Sequence, residues 1–189
     1  GGQWVLASRL GWTGSRLHLT RPDGDLRPTS PPTPLALDHP LCRAGREDPR
    51  LFTFRGKPHL SFTGVERVGT GDFRTHQMLA ELSDDLKPVN VWAPSYAGRS
   101  LPKEKNWTFF EGDDGELYSV YSVSPEHVVL RHRGTQAEEV TRAPWNPVWG
   151  GHGHLRGGAS PVRVGDEFFH FCHGMTWDEK LKVKKYSLG

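Results

Sequence analysis

Glu47, Asp48 and Arg50 fall within four residues of one another, and Pro49 stiffens the backbone between them. A carboxylate there can take or give a proton, and an Arg two residues on can brace it or grip two hydroxyls at once. A second polar cluster comprises Glu104, Lys105, Asn106 and Trp107. Glu104 is a candidate acid or base, Lys105 suits phosphate or carboxylate, Asn106 suits a hydroxyl, and Trp107 offers a ring face to a sugar. The third cluster is Arg156-Gly157-Gly158, where two glycines let backbone approach a ligand and Arg156 is an anion ligand. Each cluster also has a plain structural reading. These are a strand-entry ion pair, a charged turn before a core Trp, and a loop that needs positive φ.

The clusters recur in phase. Glu47 to Gly64, Glu104 to Val123 and Arg156 to Gly174 each pass from polar residues through an apolar run, a Gly-containing turn and an aromatic-rich run. Their starts are 57 and 52 residues apart. A repeat of about 50 residues built of short strands reads as propeller blades. The blade openings would then converge on one axial site, with Asp48, Arg50, Glu104, Lys105, Asn106 and Arg156 lining one cavity.

The histidines carry less. His127 follows Pro125 and is expected beyond a strand end, from where it could enter the site. His170 and Cys172 share one face of a predicted strand and His173 takes the other, which makes no metal site. His152 and His154 sit in a Gly-rich loop and are weak zinc candidates. There is no nucleophile elbow, dinucleotide fingerprint or Walker loop, so no cofactor and no metal are expected.

Composition narrows the classes. The chain has 189 residues, a net charge of +2 and 35% hydrophobic residues, and its mean hydropathy is -0.60. No apolar run could span a membrane, and the start lacks a basic-then-apolar leader pattern. A cytoplasmic protein is expected, with no membrane and no nucleic acid as partner, since Lys and Arg are dispersed and nearly balanced by Asp and Glu. Cys42 and Cys172 form no framework and are expected as reduced thiols.

Along the chain, Trp4–Arg9 and Ser15–Thr20 read as strands, and five prolines make Pro28–Pro40 a surface loop. Leu51–Phe54 and His59–Thr63 bracket Arg55-Gly56-Lys57 as a hairpin, with His76–Leu82 as the next strand. Lys87–Lys103 reads as a loop. Phe109-Phe110, Leu117–Val123 and His127–Arg131 read as strands, and Ala143–Gly153 as a Pro, Trp and Gly loop. Val162–Val164 pairs with Phe168–Cys172 across Gly165-Asp166, and Leu181–Tyr186 is the last strand. No helix stands out. The expectation is one all-β domain over residues 1–189, a β-propeller of about four partial blades. That count does not close, so the chain is expected to be truncated or completed by another chain.

At these residues the chain resembles the five-bladed β-propeller carbohydrate-active enzymes, that is, the mannoside phosphorylases and their glycosidase and glycosyltransferase-like relatives. EDPRLF at Glu47–Phe52 is similar to their blade motif. GGASPVRVGDEFFHFCHG at Gly157–Gly174 is similar to a later blade, and KKYSLG at Lys184–Gly189 to the segment that follows. The resemblance implies cleavage or formation of a glycosidic bond on a sugar or oligosaccharide, with phosphate as a possible second substrate. It departs at the second blade, where Asn106 stands in place of an expected acid, and Asn cannot serve as a carboxylic acid does. The resulting assignment gives Glu47 or Glu104 as acid or base. Asp48, Arg50, Lys105, Asn106, Trp107, His127, Arg156 and His173 are substrate-binding residues, and a homo-oligomer is possible. The rival reading is a non-catalytic sugar-binding or assembly module, or a glycosyltransferase using an activated donor.

Overall fold

The structure, a computed structural model, describes residues 4–11, 14–96, 102–147 and 153–188. His152, most of the 97–103 stretch and much of the Ala143–Gly153 loop lie outside them. The chain divides into two compact units, Gly1–Lys105 and Asn106–Gly189.

Among the described residues, the regular structure of unit one is strand apart from one turn of 3-10 helix at Pro40–Cys42. Its strands are β1 (Leu6–Leu10), β2 (Arg16–Thr20), β3 (Thr33–Pro34), β4 (Gly45–Phe54), β5 (Lys57–Val68), β6 (Asp72–Leu82), β7 (Pro88–Trp92) and β8 (Ser95–Tyr96). β1-β2-β3 form one sheet and β4-β5-β6-β7 another, the second a plain antiparallel meander. Leu17 and Leu19 alternate inward from β2, and Leu60, Phe62, Met78 and Ala80 meet them from β5 and β6. β5 is buried on both faces, with Ser61 and Thr63 at 0% exposure on the side opposite Leu60 and Phe62. The β4–β5 hairpin closes on Arg55 and Gly56, both at positive φ, as a two-residue turn matched to strand twist requires. Gly64 must be Gly. A Cβ there would stand 2.8 Å from the Leu41 carbonyl and from Met78.

Two expectations are corrected in this unit. Pro28–Pro40 is not merely a surface loop, because Leu35 and Leu37 are buried in the core and Thr33–Pro34 pairs with β2. Lys87–Lys103 holds β7, whose proline lies at its first residue on the sheet edge, where no ladder donor is lost.

Unit two holds β9 (Thr108–Glu111), β10 (Leu117–Ser122), β11 (Glu126–Arg133), β12 (Gln136–Pro144), β13 (Arg156–Gly157), β14 (Val162–Val164), β15 (Glu167–Phe169), β16 (Cys172–Asp178) and β17 (Val183–Leu188). β9 to β12 run as a meander, β14-β15 is a small hairpin, and β13-β16-β17 is the last sheet. Strand β12 was not anticipated, and it ends inside the predicted Ala143–Gly153 loop. Its residues are almost all exposed, so it shows no apolar period to read. Val120, Val123, Leu155 and Cys172 form one core cluster. Both cysteines are free and buried. Burial pushes each thiol above its ordinary range, an effect that Arg46 partly opposes at Cys42.

Candidate functional site

The first polar opening lies at a β-bulge. The β4–β5 register slips between Glu47 and Arg50, so Glu47 faces Thr63 and Arg50 faces Ser61, with Asp48 and Pro49 together set against the single residue Phe62. Asp48 takes φ 51, the left-handed region. A residue before proline favours extended backbone, so this conformation costs about 1–3 kcal/mol and has to be held by its surroundings. Glu47 is ion-paired to Arg9 of β1 at 3.4 Å. Burial pulls the Arg50 guanidinium below its usual range, and neighbouring Asp48 opposes this. The bulge thus presents a strained Asp between a braced Glu and a largely buried Arg.

Within the same unit, the Glu104 amide donates to the Thr75 carbonyl at 2.8 Å, and Lys103 bridges Thr75. Thr75 is on β6, two strands from β4. The Glu47 and Glu104 backbones are therefore about three strand spacings, or roughly 14 Å, apart along the sheet. Lys105 is half-buried.

Unit two gathers the other openings. Asn106 takes φ 66, so it and Asp48 share the same unusual backbone state. Each stands two residues before its strand's ladder begins or resumes, at Thr108 and Arg50 respectively. The structural phase pairs Asp48 with Asn106, one residue off the spacing counted from Glu47 and Glu104. The bulge is the cause. A Cβ on Gly157 would lie 2.4 Å from the Asn106 carbonyl and 2.8 Å from the Thr108 methyl. Gly157 therefore lets the third opening lie directly against the second. Arg156 opposes His173 in the β13–β16 ladder, so their side chains share a face. The Thr108 hydroxyl meets His170 Nε2 at 2.9 Å, and His170 Nδ1 lies 3.7 Å from Cys172 Sγ.

Two assigned residues sit elsewhere. Trp107 is only 2% exposed and packs against Phe109, Tyr121 and His132. The face expected to stack on a sugar is occupied by packing, because Trp107 immediately precedes β9 and supplies this sheet's core. His127 lies within β11 opposite Ala143, not beyond a strand end, and its ring meets Trp145 at 6.4 Å. Burial lowers its pKa. β10 separates it from β9, so it stands about 10 Å from the Asn106 strand.

Three groups escaped the sequence reading. Arg9 pairs with Glu47 from 38 residues away, a separation that carries no local signal. Thr108 and His170 meet across 62 residues. His132 Nε2 lies 2.8 Å from the buried Ser119 hydroxyl, and burial lowers its pKa to about 4. Alternation along β11 could have placed His132 inward with Val128 and Leu130. A hollow of unit one, about 610 Å³ between β2, β3 and the β6–β7 turn, is lined by none of the assigned residues. Among the described residues, no group of three or more His, Cys, Asp or Glu is placed to hold a metal ion. None of their helices is long and apolar enough to cross a membrane.

No protein-family model matches the chain, and no curated protein matches it in sequence. Solved structures do match. A provisionally assigned glycoside hydrolase from Parabacteroides distasonis superposes with a TM-score of 0.72 at 16% identity, covering 100% of this chain and 64% of its own. A thermostable family-43 glycoside hydrolase gives 0.61 at 12% identity, covering 98% and 67%. CoXyl43, a GH43 β-xylosidase/α-arabinofuranosidase from a compost microbial metagenome solved with xylotriose, gives 0.59 at 16%, covering 100% and 66%. The fold is all-β, of the propeller type. This chain spans about two thirds of the length of those chains.

Proposed function

We propose that this chain carries part of an axial carbohydrate site that cleaves a glycosidic bond, within one propeller domain. The observation that carries the reading is the left-handed Asp48 at the β4 bulge, next to Glu47 and a largely buried Arg50. Strain of this kind clusters at functional sites, where the surrounding structure holds it in place. The likeness to glycoside hydrolase structures supports the same reading.

In the proposed mechanism Asp48 accepts hydrogen bonds from sugar hydroxyls, and Arg50 and Arg156 orient carboxylates or an anionic group. Glu47 or Glu104 serves as acid or base. Asn106 binds a hydroxyl. Because CoXyl43 was solved with xylotriose, pentosides are the first substrates to try. The decisive assay is release of nitrophenol from aryl β-xylosides and α-arabinofuranosides, with and without phosphate. Parent activity that falls at least about a hundredfold in Asp48→Ala, with an unchanged melting temperature, supports the proposal. Equal activity in parent and variant refutes it. A rate that depends on phosphate assigns phosphorolysis in place of hydrolysis.

One observation favours a second reading. Asn106 occupies the backbone state that Asp48 occupies, but without an acid, as a non-catalytic sugar-binding module would have it. Under that reading sugar binds the parent without any nitrophenol release, and Asn106→Asp confers no turnover.

A further inference from the structure

The β9–β10 turn and the β14–β15 hairpin of unit two enclose a shallow depression of about 370 Å³. It lies at the opposite end of β9 from Asn106. Phe110, Tyr118, Val129 and Phe168 line it together with Asp113 and Asp114. Phe110 stacks on Tyr118 at 5.8 Å and 26°, while Phe168 meets Phe110 at 4.9 Å and 54°. Phe168 remains 38% exposed.

The platform is held in place. A Cβ on Gly112 would lie 2.4 Å from the Tyr118 ring, so only Gly lets that ring lie flat against the turn. The Tyr118 hydroxyl donates to Asp114 Oδ2 at 2.8 Å, which fixes the ring's rotation and holds the Asp114 carboxyl below its usual range. Asp113 accepts from the Arg163 guanidinium, which also donates to the Gly165 carbonyl at 2.8 Å. One ion pair thus ties the two turns together, and it places a carboxylate and a guanidinium beside an exposed ring.

This combination matches one ligand chemistry. A pyranose has an apolar C–H face that lies on an aromatic ring, and hydroxyls at its edge that donate to carboxylates and accept from guanidinium. We propose that the depression is a second, non-catalytic binding site for a chain of pyranose sugars. It would hold a polysaccharide by its surface while the axial site acts elsewhere. The proposal rests on the carbohydrate reading above but not on its catalytic step.

The test is native gel electrophoresis through soluble arabinoxylan, mixed-linkage glucan or galactomannan, with xylohexaose titration followed by NMR. The parent is expected to be retarded by at least one polymer. Phe168→Ala is expected to lose that retardation and to bind xylohexaose at least tenfold more weakly. Phe168→Trp keeps both, which rules out simple loss of the hairpin. Asp48→Ala is expected to be retarded like the parent. Failure of every polymer to retard the parent overturns the proposal. So does unchanged retardation in Phe168→Ala, or its loss in Asp48→Ala. Retardation without turnover leaves this site standing and removes the catalytic reading. Turnover without retardation does the opposite.

Discussion

At residue scale, two positions separate function from stability. Asp48 holds a positive φ that an L side chain adopts only at a cost, and glycine adopts it freely. Asp48→Gly should therefore leave stability unchanged or raise it by up to ~1 kcal/mol, a melting shift of a few degrees. It should also abolish turnover and sugar binding at the axial site, leaving the β9–β10 depression unaffected. A drop of several degrees would make Asp48 a structural residue. Gly157 is the reverse case. Any side chain there meets the Asn106 carbonyl, so Gly157→Ala should destabilise by more than ~2 kcal/mol or prevent folding. Gly24→Ala, with nothing within 4 Å of its added Cβ, should be near neutral in the same melting assay. The three polar openings were legible in sequence because charge and glycine stand out at strand starts. The phase between them was not. One bulge at Glu47–Arg50 shifts the count by a residue, and no composition signal marks it. Trp107 was misplaced for a related reason, since a ring at a strand entrance looks the same whether it faces a ligand or the core.

At the scale of elements, the β10–β11 pair makes stability depend on acidity. His132 is neutral in the fold, with a pKa near 4, against about 6.5 in an unfolded chain. The unfolded state therefore binds the extra proton between those values. Stability contributed by keeping His132 neutral is whole above pH 6.5, falls as pH drops, and is lost by about pH 4. The span is of the order of 3 kcal/mol. His127, also lowered by burial, adds in the same direction. Denaturant titrations at several pH values should show His132→Gln with a flatter acid limb than the parent. Identical slopes would sink the assignment. β2, with one buried face, announced itself by its alternating apolar residues, and the β4–β5 hairpin by its Arg-Gly-Lys turn. Strands β7 and β12 did not, because a strand with little buried surface has no hydrophobic period. In the proline-rich stretch, Leu35 and Leu37 were masked by their neighbours.

At the scale of the whole molecule, the last sheet leaves apolar area uncovered. His173, Met175 and Trp177 alternate on one face of β16, with Leu188, Tyr186 and Lys184 opposite them on β17. Leu188 is 88% exposed and Tyr186 63%. Such a patch favours association. Light scattering of this 189-residue chain should show a mass that grows with concentration. The double variant Trp177→Lys, Tyr186→Lys should suppress that growth without lowering the melting temperature. A parent that stays monomeric at every concentration would mean the patch is not sticky.

The two thiols provide a clock for each unit. Cys42 is sealed in the core of one and Cys172 in the core of the other, and burial makes both poor nucleophiles while the fold is closed. A thiol reagent can modify each only when its own unit opens. Mass spectrometry of the labelled peptides would then time the two openings in one tube, without any engineered probe. Equal rates would mean that the units open together, and unequal rates would rank them.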